Sequence, residues 1–195
     1  MKETYFHSVQ ITQEACRGCT FCVKHCPTEA IRVRNGKAMI LPNRCIDCGT
    51  CIRNCPFRAP QAKTDQLSRL KDFQYNIVLP PPSLYSQFNE NIHRESIWQG
   101  LMQLGFDEIF DVALASDYIA VEIEKFIHAH AGEHKTYISC ACPAVLRLIQ
   151  VKFPELIPLI IPVLPPAEAA AIYIKNKIAR EKHLPKEQIG VWFIA

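Results

Sequence analysis

Eight cysteines decide most of what the first 55 residues of this 195-residue chain can become. They stand at 16, 19, 22 and 26, and again at 45, 48, 51 and 55, so each member of the second set follows its counterpart by 29 residues. The two runs, CRGCTFCVKHCP and CIDCGTCIRNCP, share the form Cys-x-x-Cys-x-x-Cys-x-x-x-Cys-Pro and record an internal duplication. Three thiolates spaced this closely lie on one tight loop that wraps an iron–sulfur cubane and meets three of its irons. The loop does not also reach the fourth corner, so the last sulfur must come from elsewhere. Zinc sites built from pairs of Cys-x-x-Cys, or a set of disulfides, leave the regular spacing, the trailing Cys-Pro and the duplication unexplained together.

Residues 8–60 resemble bacterial-type two-cluster ferredoxin domains, in which the fourth cysteine of each run ligates the other cluster. The resemblance implies that Cys16, Cys19, Cys22 and Cys55 hold one 4Fe-4S cluster and that Cys45, Cys48, Cys51 and Cys26 hold a second. Pro27 and Pro56 would turn the chain away after each exchanged ligand. Gly18 and Gly49 would let backbone N–H groups approach cluster sulfurs, which raises a cluster's potential. Through residue 62 there are nine Lys/Arg and four Asp/Glu, a balance of +5 that nearly cancels two oxidised clusters with their thiolates.

The whole chain carries only +3, too little to argue for nucleic acid or a membrane surface. The N-terminus, MKETYFHSVQ, lacks an apolar signal segment, so a cytoplasmic protein with reduced thiols is expected. The most apolar stretch, LIPLIIPVL at 156–164, is short and broken by Pro158 and Pro162, so no membrane span is expected.

Between the cysteine runs, Asn35-Gly36 joins two β-like segments of 30–41 and predicts a tight hairpin. Residues 56–75 are polar and read as a connection with one short helix. Beyond them the pattern alternates: a strand at NIVL ended by prolines, a helix over 92–105, a strand over 107–114, and a helix from an Asp117 cap to about His130. A strand at 136–141, a helix over 143–153 opened by Pro143, a short strand in LIIPVL, a helix over 166–182 and a strand over 189–195 follow. The fold class expected is an α+β ferredoxin-like two-cluster domain (1–62), a linker (63–75), and a truncated α/β domain with a mainly parallel sheet (76–195).

The second part carries its own likeness. LGFDEIFDVALASDYIAVEIE (104–124), SCACPAVLRLIQVKFPELIP and PPAEAAAIYIK resemble the catalytic domain of iron-only hydrogenases in motif, order and spacing across about 76–184. That resemblance implies that Cys142, just before Pro143, matches a ligand of the cubane half of the hydrogen-activating cluster. It also exposes two departures. Ala141 stands where competent members have a proton-passing cysteine, and Cys140 lies one residue further away; Val145 replaces a common aromatic. The other three cluster cysteines and a lysine of the family lie in later motifs, and no cysteine follows Cys142. A third, hydrogenase-type cluster is therefore expected only in a complete parent protein.

These readings imply an iron–sulfur electron-transfer protein whose two clusters serve a hydrogen-activating domain incomplete in this chain. Its expected partner is a redox protein or a downstream signalling module. A redox or dihydrogen sensor, and a plain ferredoxin-type carrier, are the alternatives. His128, His130 and His134 read as a solvated helix end, His25 as an exposed residue beside Cys26, and Glu122 and Glu124 as solvent-facing charges.

Overall fold

In this computed structural model the described residues are 6–132 and 136–194. His134 lies outside them. The chain forms two compact units: Met1–Asp65 with Cys142–Ile160, and Gln66–Ala141 with Ile161–Ala195.

The first unit repeats itself in structure as it does in sequence. Strand β1 (Val9–Ile11), helix α1 (Phe21–Lys24) and strand β2 (Ile31–Arg34) recur 29 positions on as β3 (Lys37–Ile40), α2 (Thr50–Asn54) and β4 (Pro60–Ala62). Each ladder joins one strand from each half: β1 pairs antiparallel with β4, Val9 opposite Ala62, and β2 pairs antiparallel with β3, Ile31 opposite Ile40. The hairpin turn has Asn35 and Gly36 both at positive φ, 50° and 71°, the conformation the Asn-Gly pair favours. The left-handed positions repeat too: Gly18 and Asp47, Thr20 and Gly49, Glu29 and Arg58. The core is small, with Cys16, Cys22, Ile31, Ala38 and Ala59 buried together. So few apolar side chains stabilise a fold weakly on their own, and units of this kind gain stability from metal bonds. Helix α6 (Pro143–Lys152) and a 3-10 segment (Pro154–Leu159) belong to this unit as well.

The second unit is built on a three-stranded parallel sheet, with β5 (Tyr75–Leu79) between β6 (Glu108–Ile109) and β7 (Ile189–Phe193). Ile77, Val78 and Leu79 are all buried, as a central parallel strand covered on both faces requires. Ile77 and Leu79 pack with Ala170, Ile174 and Ile178 of α7 (Pro166–Glu181) and with Val112 and Ala115 of α5 (Val112–Ala129). The i, i+4, i+8 stripe of α7 is the face its sequence pattern predicts. Val78 points the other way, onto Leu101 of α4 (Arg94–Gln103) and Phe106. A 3-10 turn (Leu67–Asp72) supplies Leu70 to the same cluster. Asn76 ties the central strand to β7 and to the 3-10 turn before it: its side chain donates to Leu70 O (3.0 Å) and accepts from Trp192 Nε1 (2.9 Å). Among the described residues, no helix is long and apolar enough to cross a membrane.

Three expected elements differ. The strand expected over 107–114 stops after Glu108–Ile109, because Asp111 caps α5 by accepting from Ala113 N–H at 2.8 Å. Asp111 thus takes the capping role expected of Asp117, which lies exposed inside the helix. Residues 136–141 form no strand; Ile138 makes a single bridge, its carbonyl accepting from Ile161 N–H. LIIPVL likewise forms no strand, since Pro162 within it and Pro158 and Pro165 beside it lack the donors a ladder needs.

Candidate metal centres

The short helices α1 and α2 follow left-handed residues, Thr20 and Gly49, so each cysteine loop turns tightly before its helix begins. The structure brings Cys16, Cys19, Cys22 and Cys55 around one cavity. Cys26, Cys45, Cys48 and Cys51 surround a second. Each cavity thus gathers three sulfurs of one run and the last sulfur of the other. All eight are free thiols. Cys19 and Cys48, equivalent across the repeat, are exposed, so each quartet has one sulfur at the surface.

Backbone N–H groups point at the sulfurs. Ala38 N–H donates to Cys16 Sγ (3.3 Å) and Ala30 N–H to Cys26 Sγ (3.2 Å). Such donors, like the four converging thiols, suit a cluster whose sulfurs carry negative charge. Gly18 is placed where only glycine fits: a Cβ there would lie 2.5 Å from Gly36 O. Gly49 has open space beside it, and its positive φ alone favours glycine.

The thiols differ electrically. Burial pushes Cys16 up, but the N–H groups of Ala38 and Gly18 and the Lys37 ammonium outweigh it, and the net direction is down. Burial pushes Cys45 up to about 11, the Asp47 N–H offsetting part of this and the Asp47 carboxylate adding to it. Cys51 is pushed up to about 11 by burial and by the neighbouring Cys45 and Cys48. Burial and the nearby Cys55 raise Cys22. Metal binding must expel these protons.

Three side chains around the sulfurs escaped the sequence reading. His7 Nδ1 and Asp47 Oδ2 meet at 2.9 Å, and Asp47 Oδ1 lies 3.6 Å from Cys45 Sγ. Lys37 Nζ donates to the carbonyls of Gln13 (2.6 Å) and Cys16 (2.9 Å). Only Asp47 had a usable signal, since it occupies Gly18's place one repeat later.

Cys142 is exposed at the N-cap of α6 and makes no side-chain capping bond. Cys140 is buried and donates to Val163 O at 2.6 Å, and Ala141 is exposed. No quartet gathers around Cys142 among the described residues, and the two thiols of this segment do not fit a cubane. His128 pairs with Glu124 (3.7 Å), Glu122 with Lys125 (2.7 Å), and His25 and His130 each bond the carbonyl four residues earlier. These are helix-surface contacts.

Residues 9–59 match the model of the 4Fe-4S dicluster domain, and residues 74–195 match that of the iron only hydrogenase large subunit, C-terminal domain. Similar solved structures include a HydA protein from a study of stepwise FeFe-hydrogenase H-cluster assembly (19% identity, TM-score 0.55, 65% of this chain and 36% of that one). A variant of the FeFe-hydrogenase HydA1 from Chlamydomonas reinhardtii gives the same four values. An FeFe-hydrogenase from work on oxygen inactivation shows 18% identity and a TM-score of 0.50, over 65% of this chain and 37% of that one. The chain thus spans little more than a third of the length of these structures. At such identities the likeness shows the fold of the α/β part, and the family match, which covers more than half of the chain, shows its kinship: this protein belongs to the iron-only hydrogenase large-subunit family and carries a 4Fe-4S dicluster domain ahead of the family's C-terminal domain.

Proposed function

We propose that this chain is the electron-transfer part of an iron-only-hydrogenase-like protein. Two 4Fe-4S clusters sit in its ferredoxin-like N-terminal domain, one on Cys16, Cys19, Cys22 and Cys55, the other on Cys26, Cys45, Cys48 and Cys51. The observation that carries this reading is the gathering of the eight sulfurs around two cavities, each drawing one sulfur from the opposite repeat. When bound, such clusters accept and release single electrons.

The chain's own residues set the terms of that exchange. Ala38 and Ala30 N–H groups stabilise negative charge on the sulfurs, and the buried Cys16 and Cys22 keep water from one side of the first site. Exposed Cys19 and Cys48 offer short paths to a redox partner. The electrons would serve a hydrogen-activating site that needs ligands beyond Cys142.

Ala141 favours a second reading. A methyl side chain neither donates nor accepts a proton, so a parent protein with this segment suits a redox or dihydrogen sensor, coupled to a signalling module, better than a fast enzyme. A plain ferredoxin-type carrier is the simplest role for the chain alone. Clustered cysteines of the metal-binding kind suit a cytoplasmic setting.

The test is low-temperature EPR of the anaerobically reconstituted, fully reduced protein. About two unpaired spins per chain are expected, one for each reduced cluster. An EPR-silent, zinc-loaded protein would overturn the proposal.

A further inference from the structure

The duplication is broken in charge at the two sites. Backbone N–H groups serve both quartets, among them those of Ala38 and Gly18 at Cys16, Ala30 at Cys26 and Asp47 at Cys45. The side chains around them differ. Apart from the thiols, Arg17 is the one charged residue lining the first cavity, and Asp47 is the one charged residue lining the second, among the described residues. The residues in the corresponding places of the other repeat are Ile46 and Gly18. Lys37 adds a fixed positive charge at the first site, its ammonium held 2.9 Å from Cys16 O. Asp47 sets a carboxylate oxygen 3.6 Å from Cys45 Sγ, and its side chain is only 11% exposed, so water screens it weakly. His7 bonds the far oxygen of that carboxylate and holds it in place.

Adding an electron adds a negative charge, which a nearby ammonium favours and a nearby carboxylate opposes. On the cluster assignment proposed above, we infer that the site of Cys16, Cys19, Cys22 and Cys55 has the higher reduction potential, and that Lys37 and Asp47 set the order. One electron leaves the second site as one arrives at the first, and no proton or covalent bond changes hands. The singly reduced protein therefore holds its electron at the first site, while the second site is the stronger donor. Lys37 and Asp47 are positioning residues in this scheme.

The test is an anaerobic potentiometric titration followed by EPR, on reconstituted protein first shown to contain two 4Fe-4S clusters. It is run at one fixed pH for every variant. The unsubstituted protein should show two one-electron steps, with a bias of about tenfold or more between the sites, or about 59 mV for one electron. Asp47→Asn should raise the lower step and leave the higher one in place. Lys37→Gln should lower the higher step and leave the lower one in place. Asn tolerates the positive φ of 52° at position 47, so the first variant keeps the loop. Coincident steps, or substitutions that move the opposite steps, overturn the inference while leaving the cluster assignment intact. Failure to form both clusters overturns the assignment and the inference with it.

Discussion

Gly18 and Gly36 meet so closely that a Cβ on Gly18 would lie 2.5 Å from the carbonyl oxygen of Gly36. The first cysteine loop and the hairpin turn therefore touch backbone to backbone, and neither can retreat without moving a strand or a ligand. Gly18→Ala should lower the unfolding midpoint of the iron-free protein and reduce iron uptake at the first quartet. Gly49→Ala has the same φ penalty, roughly 1 kcal/mol, but no collision. Chemical denaturation of the two variants should rank Gly18→Ala as clearly the worse, and equal losses would remove the packing argument.

The exchange of fourth ligands predicts which site each serine variant damages. Cys55→Ser should disturb the cluster of Cys16, Cys19 and Cys22 and leave the other spectroscopically intact. Cys26→Ser should do the reverse. EPR of the reduced variants distinguishes them, and loss of the site of Cys45, Cys48 and Cys51 in Cys55→Ser would show that each run closes its own site.

The raised thiols predict a pH dependence for the iron-free protein. Cys45 and Cys51, at about 11 against an ordinary 9.0, hold their protons more tightly folded than unfolded. Their contribution to stability is therefore full below pH 9 and lost as pH rises through 11. Cys22 acts in the same direction and Cys16 in the opposite one, so three thiols outweigh one. Urea midpoints should fall across this window for the iron-free protein. The dependence should vanish once iron has displaced the protons; a midpoint that holds steady without iron would contradict it.

Asp111 is buried, caps α5, and accepts from Tyr85 OH at 2.9 Å. Asp111→Ala should cost about 1–3 kcal/mol, through a lost cap and an unsatisfied phenol. Asp117→Ala, on an exposed helical position, should stay within about 0.5 kcal/mol. Thermal unfolding of the pair checks both values, and the reverse order would restore Asp117 as the cap.

What could be read from the residues alone follows from the range of the forces involved. The hairpin at Asn35-Gly36 and the helix at 166–181 were legible, because turn chemistry and 3.6-residue periodicity are local. The 29-residue repeat announced matching loops, because equal spacing is itself a local pattern, whereas the exchange of the fourth cysteine came only from the resemblance to two-cluster ferredoxin domains. The start of α5 is not marked locally, because Val112, Ala113 and Leu114 suit a strand as well as a helix; the deciding bonds to Asp111 include one from Tyr85, 26 residues away. Residues 136–141 look strand-like, but a ladder needs a partner, and the proline-broken LIIPVL segment supplies only one bridge. Lys37 and His7 reach the sulfur sites across 21 and 40 residues of chain, to Cys16 and Asp47, and no local pattern marks such contacts.

The most direct test of the whole account is iron and sulfide analysis of the chain after anaerobic reconstitution. Two interleaved quartets predict about eight irons and eight sulfides per chain. About four irons, or zinc without sulfide, would contradict the paired-cluster assignment, and about twelve would show a third cluster where the described residues gather no third quartet.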